Sequence, residues 1–270
     1  AVHLNLLRNR PEIVVDSSEV AITHYLLFNA ARRPFNERGC RACFDRLVDR
    51  TEIVERILQG AGTPARDFLV EKAYRWNRGR FSPRADSSGD ALRRLAACTA
   101  GKPLVLLLNQ SDTGAWTYRH LADYLADYFT RRGIAIRVEA LESGAWQAAT
   151  DAGRFDLALY PLSAPTGTPE LLIRRLAYSR GLPARSASNT THFSSPSLDR
   201  LFEEAVYAPT AGEHERRFNQ LLDLLAEEKP FVPLYHERYF YAYRRGFTEV
   251  QVDPFLKLDL ARLRASGPFR

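Results

Sequence analysis

The chain has 270 residues, 45% of them apolar and 26% charged, the make-up of an ordinary globular protein long enough for one large or two smaller cores. Its longest apolar run, Leu104–Leu108, is a strand's length and far short of the roughly 18 residues that cross a bilayer. The net charge of +6 comes from 34 arginines and 4 lysines scattered among acids, which reads as a solvated surface rather than a patch holding nucleic acid.

In chain order, the sequence first predicts two strands, PEIVV (11–15) and HYLLFN (24–29), followed by a Pro34-Phe35 turn. From Asn36 a helix runs to about Val48. It contains Cys40-x-x-Cys43, readable as zinc or redox chemistry or, with Cys43, Leu47 and Val48 on one face, as core. With Cys98, the three cysteines cannot all pair internally. Asp49 and Glu52 form a capping box for a second helix, striped by Ile53, Val54, Ile57 and Leu58 and stopped by Gly60. Residues 61–102 are irregular, either a linker or a surface loop, with a short helix ALRRLAAC inside.

From Lys102 the pattern alternates. A strand PLVLLLN precedes a helix over about 115–132, closed by Gly133. The strand IAIRVEAL, a short helix around Trp146 and a strand Phe155–Tyr160 follow, predicting an α/β layer with a mainly parallel sheet. Helices are predicted near 170–178, 196–207 (capped by Ser195 with Pro196 at its first position) and 213–228. Two last strands, PFVPLYH and RYFYAYR, precede a short tail of mixed structure.

The order strand, Asn29, Pro34-Phe35, Arg-x-Ala helix, Asp49-Arg50 helix, Gly60 resembles the mid-chain signature of the bacterial extracellular solute-binding proteins of family 5. Those are receptors for dipeptides, oligopeptides and nickel that serve ABC importers. Later stretches are similar in the same order: LADYLADYFTRRGIAIRVEAL, GRFDLALY, NTTHFSSPSLDRLFEEA and EEKPFVPLYH. The resemblance implies an α/β, periplasmic-binding-protein-like class II fold of two lobes, the second complete and the first partial. It assigns residues 1–35 to the first lobe, 36–236 to the second and 237–270 to the return into the first. The absence of Met, position 1 included, fits a processed or partial chain, whose missing part would come from an N-terminal segment or a second polypeptide.

The resemblance also places the cleft. The loop after the Phe-Asp strand would carry an Asp that pairs with a peptide's ammonium; here that loop, LYPLSAPTGTPE, has none, and its first carboxylate is Glu170 at a helix start. It offers Tyr160, Ser163 and Thr166, which suit neutral polar ligands or sugars or else simply make turns. Asn189 and His192 fall at the implied cleft rim, and Asn29, Pro34 and Phe35 at the implied hinge. Arg32 and Arg33 read as solvated charge or as an anion contact, and Trp116 and Trp146 as packing.

No catalytic motif, metal set or cofactor loop is visible. The expectation is a binding component of an importer, periplasmic or extracellular, either free or anchored to a membrane, with an ABC permease as partner. The alternative is the ligand-sensing domain of a cytoplasmic transcriptional regulator, toward which unpaired cysteines and the missing Asp lean.

Overall fold

The computed structural model describes residues 6–73, 78–86, 89–111, 115–163, 170–180 and 189–265. Strand β1 (Ile13–Phe28) runs through the middle of the molecule. Helix α1 (Arg38–Leu47) follows, then α2 (Arg50–Glu52), which widens into a π-helical turn over Ile53–Ile57. Next come β2 (Gly62–Pro64), α3 (Asp90–Thr99), β3 (Leu104–Asn109), α4 (Ala115–Thr130), β4 (Ile136–Leu141), α5 (Ser143–Asp151) and β5 (Leu157–Ser163). Helices α6 (Glu170–Leu176), α7 (Pro196–Val206) and α8 (Ala211–Glu228) lead to the long strand β6 (Phe231–Arg244). The short strands β7 (Phe247–Thr248) and β8 (Arg264–Ala265) pair with each other in the tail.

The main sheet has the order β2-β6-β1-β5-β3-β4. Parallel pairing is confined to β3 with β4 and β3 with β5. The three strands expected to be parallel are so, but the joins β1–β5, β1–β6 and β2–β6 are antiparallel, so the sheet as a whole is mixed. The two strands predicted within 11–29 are one, and so are the two predicted within 231–244. Polar Asp16–Glu19 stays extended because it pairs with Arg238–Tyr241 of β6. Beyond its pairing with β5 at Ile22, β1 therefore continues as a two-stranded ribbon with β6.

Two of the expected caps act, while the first helix starts at Arg38 behind Glu37 with no side-chain cap bond, not at Asn36. The Asp49 side chain accepts from the Glu52 N–H, and Ser195 Oγ from the Leu198 N–H. Gly133 sits at φ +85°, the left-handed conformation that a residue without Cβ adopts freely. At Gly62 a Cβ would lie 3.0 Å from the His236 carbonyl oxygen, so β2 approaches β6 closely only because that position is bare.

The core is built around the buried half of β1. Phe28, Phe35, Phe44 and Phe129 form one aromatic cluster, with Phe44 stacked on Phe129 at 4.2 Å. Each ring contributes roughly 2–3 kcal/mol by leaving water. Residues 61–102 are not a detached linker, because Phe68, Leu69, Val70 and Phe81 are buried in this core. Not all of the arginine is surface. Arg50 is 1% exposed and donates to the Pro233 and Ser82 carbonyls and to Asp45, while Arg80 is clamped to the fully buried Asp67. Burial alone would raise the Asp45 carboxyl's pKa; the charges of Arg50 and Lys229 more than reverse this and hold it below the usual carboxylate range.

The cysteines depart from expectation. Cys40 and Cys98 form a disulfide that ties α1 to α3, and the thiol left over is Cys43, buried, with burial pushing its pKa up. Sequence could not show this pair, because the partners are 58 positions apart and meet only when α3 packs beside α1. Closing a loop of that length restricts the unfolded chain by about 4 kcal/mol in the chain-entropy account. Reduction, or Cys98→Ser, is expected to lower the unfolding free energy in urea by 2–4 kcal/mol (an approximate range), and Cys43→Ser to leave the disulfide intact.

Candidate functional site

In an open α/β sheet, ligands lie beyond the carboxyl ends of the parallel strands, where no backbone crosses and polar groups stay available. Here that edge is formed by Asn109 at the end of β3, Leu141 at the end of β4 and Ser163 at the end of β5. The Asn109 side chain donates to Ser143 Oγ at 3.2 Å, and its Oδ1 accepts from the Ser111 N–H at 3.0 Å. Glu142 accepts from Gln110 Nε2 and Ser111 Oγ, and those two hydrogen bonds hold its carboxyl below the ordinary range. This edge is therefore an ordered polar rim on the end of three strands.

Tyr160 lies half-buried in β5, its ring stacked on the Trp146 indole at 5.6 Å with 8° between planes. Its hydroxyl accepts from Arg175 Nη1 at 3.2 Å. Trp146 is 4% exposed, and its Nε1 is buried without a hydrogen-bond partner. Ser163 is exposed at the very end of the strand, opposite Ile22 of β1. Glu170 stands in the first turn of α6 and accepts from His214 Nε2 at 3.1 Å, so it is engaged with a neighbouring helix. Thr166 lies outside the described residues, as does the side chain of Trp116.

Asn189 and His192 do not join Tyr160 and Ser163. Both take left-handed backbone conformations, at φ +58° and +52°, in the segment leading to α7. The Asn189 amide donates to the Phe193 carbonyl at 2.7 Å, and His192 Nε2 is hydrogen-bonded to the Thr150 carbonyl at 2.7 Å. These side chains fasten their own loop to the end of α5, at the amino end of β5.

The three residues expected at the hinge lie at the same end. Asn29 is 2% exposed and donates to the Gly153 and Phe155 carbonyls, while its Oδ1 accepts from the Ala31 N–H. Phe35 is fully buried in the aromatic cluster, next to Pro34, whose bond to Arg33 is cis. All three are held by packing. Close by, Arg32, Arg33, Lys102 and Asp156 line a cavity of about 320 Å³. Burial raises the Asp156 carboxyl's pKa, against the Val105 N–H and Arg32, whose Nε stands 3.6 Å away.

A second polar cluster, which the sequence did not disclose, sits where β1 and β6 leave the main sheet. His24 shares hydrogen bonds with Tyr118 at 2.6 Å and Glu237 at 3.1 Å and stacks on Tyr235 at 4.2 Å. Thr23 shares one with His236 Nδ1 at 2.9 Å. The pairing register shifts on both sides of this point, between Glu19 and Thr23 and between His24 and Tyr25. A histidine at alternate strand positions carries no sequence signal of this kind, since its partners lie on β6 and α4.

If His192 serves the loop rather than a ligand, His192→Ala should lower stability by about 1 kcal/mol and leave the affinity for any bound solute unchanged in calorimetric titration.

Comparison with known proteins adds a family. The sequence profile of the bacterial extracellular solute-binding proteins, family 5 (middle region), matches residues 2–182. Among curated relatives, the di/tripeptide-binding protein 1 of Pseudomonas aeruginosa is 20% identical over 257 residues, covering 93% of this chain and 47% of the relative. Among solved structures, a dipeptide-binding protein from Pseudoalteromonas in complex with Met-Leu superposes with a TM-score of 0.76 at 19% identity, over 98% of this chain and 52% of that one. HbpA2 of Haemophilus parasuis gives 0.82 at 15% identity over the same shares. The chain thus has their fold and spans about half the length of these relatives.

Proposed function

Because the chain belongs to the bacterial extracellular solute-binding proteins of family 5, we propose that it is the solute-capturing part of an ABC importer of the peptide, nickel or oligosaccharide class. It binds its ligand without chemical conversion and hands it to a permease. The observation that carries this reading is the family match over residues 2–182 together with a shared fold across nearly the whole chain.

The ligand lies at the carboxyl edge of β3 and β5, beside Ser163 and Tyr160, and Thr166, outside the described residues, stays a candidate by sequence alone. Asn189 and His192 leave this set because their side chains are already bonded to backbone. In place of a carboxylate for a peptide ammonium, the end of β5 offers hydroxyls, which favours neutral polar groups.

The two-lobe division keeps its second boundary near 236 and 237. The first boundary moves from residue 35 to about 22, since Ile22–Phe28 pair with β5 inside the main sheet. The double register shift supports placing the crossing, and hence the hinge, at Glu19–Thr23 and His236–Arg238. The Cys40–Cys98 disulfide favours an oxidising compartment, the periplasm or the cell exterior, and weighs against the cytoplasmic regulator.

Thermal denaturation of the full-length protein with dipeptides, oligosaccharides and nickel–histidine complexes at millimolar concentration tests the reading. One class is expected to raise the melting temperature, since ligand at a hundredfold its Kd stabilises the native state by about 2.7 kcal/mol. Ser163→Trp should abolish that rise. No stabilisation by any class would refute the assignment.

A further inference from the structure

Consecutive residues of a strand point to opposite faces. Thr23 and His24 therefore meet β6 on the two sides of the sheet, at the positions paired with His236 and Tyr235. On one face, His24 lies between Tyr118 of α4 and Glu237, over the Tyr235 ring. On the other, His236 is 5% exposed, bonded through Nδ1 to Thr23, and its Nε2 is buried with no partner.

The pairs Thr23–His236 and His24–Tyr235 form an island. Between Glu19 and Thr23, β1 carries three residues opposite the single Glu237 of β6; between His24 and Tyr25, β6 carries one extra residue, Leu234. Such breaks weaken the ladder locally and let the strand bend. Beyond them the β1–β6 ribbon has no strand of the main sheet on its outer edge among the described residues. Besides the tail, whose Val252 and Pro254 carbonyls accept from Ser18 Oγ and the Ala21 N–H, the side chains at the joint bear on the ribbon's angle.

We propose that this joint is a proton-operated clasp: neutral His236 holds the ribbon formed by residues 13–19 and 238–244 at a fixed angle to the main sheet, and protonation of its ring releases it.

The carboxylates around the ring are each hydrogen-bonded to other groups. Nε2–H of the cation would need an acceptor or water. Glu19 of β1 accepts from Thr63 of β2 at 2.6 Å through Oε1 and is not hydrogen-bonded to the ring. Asp67, after β2, is filled by Arg80 and by the N–H groups of Phe68, Arg78 and Gly79. Glu237 lies on the opposite face with His24. Water is the remaining partner, and it reaches Nε2 by parting the strands.

Burial, against the fields of Glu19 and Asp67, pushes His236 down to about 4. In an opened joint the ring would titrate at the ordinary value of about 6.5. The neutral ring favours the closed joint, so opening is insensitive to pH above that ordinary value. It grows as pH falls toward 4 and levels off below. His24 lies on the opposite face, bonded to Tyr118 and Glu237, so the release belongs to His236. The clasp rests on the geometry of the joint alone, whereas its use in releasing a solute rests on the solute-binding reading. The test is therefore made without ligand, and its outcome is separate from any binding result.

Amide hydrogen exchange is followed at pH 7.5 and 4.5, corrected for the intrinsic pH dependence, in the ribbon and in β3 and β4. From the two ring pKa values, opening of the ribbon should rise roughly 70-fold at pH 4.5, with β3 and β4 rising much less. His236→Phe should remove the rise and His24→Gln should keep it. Should His236→Phe fail to fold, the ring titration of His236 in the unaltered protein decides by NMR. A midpoint near that of a free histidine overturns the clasp, as does an equal rise in β3 and β4 or a rise that survives His236→Phe.

Discussion

The antiparallel union of β1 with β6 is the constraint on which the rest of the molecule depends. The two strands are far apart in sequence, and their pairing from Ile13 with Arg244 to Leu27 with Phe231 brings the beginning and end of the chain together. Everything described between them, helices α1 to α8 and the parallel strands included, is a long excursion closed by this one ladder. Because β5 occupies the other edge of β1 from Ile22 onward, the second half of β1 is buried on both sides and its sequence, Tyr25–Phe28, is apolar without alternation. The first half has β6 on one edge and carries the polar run Asp16–Glu19.

A set of interior arginines fastens the loops to this ladder. Arg50 reaches from α2 to the Pro233 carbonyl of β6, and Arg41 from α1 to the Glu228 and Phe35 carbonyls. Arg80 links the segment after β2 to α8 through Asp223 and Asn219. The planar guanidinium can satisfy several carbonyl oxygens at once, which a lysine cannot. A buried cation stripped of these partners would be costly, so each such arginine specifies where its loop lies. The strong preference for Arg over Lys is thus partly a matter of surface and partly of interior fastening.

Much of the fold was legible in the residues. Caps such as Asp49 and Ser195-Pro196, the apolar stripe of α4 and the run Leu104–Leu108 are local signals, and local backbone preferences decide them. The joins were less legible. Asp16–Glu19 lacks any strand signature, and only the facing residues of β6 keep it extended. The candidate site divides the same way. Ser163 and Tyr160 end a recognisable strand, so their position was readable, whereas Asn189 and His192 have polar side chains that the fold turns toward backbone carbonyls. The His24–His236 joint escaped notice, since its significance lies in a register break and not in a motif.

By itself, the sequence determined the succession of helices and strands and the family signature over residues 25–60. Both are written in neighbouring residues: apolar periodicity, capping side chains, and the Asn29 to Gly60 order. Only the tertiary structure decided which strands join, that Cys40 pairs with Cys98, which arginines are interior, and where the chain bends. Those outcomes depend on contacts between residues dozens to hundreds of positions apart, and burial there sets both the partner of each polar group and the charge it can carry.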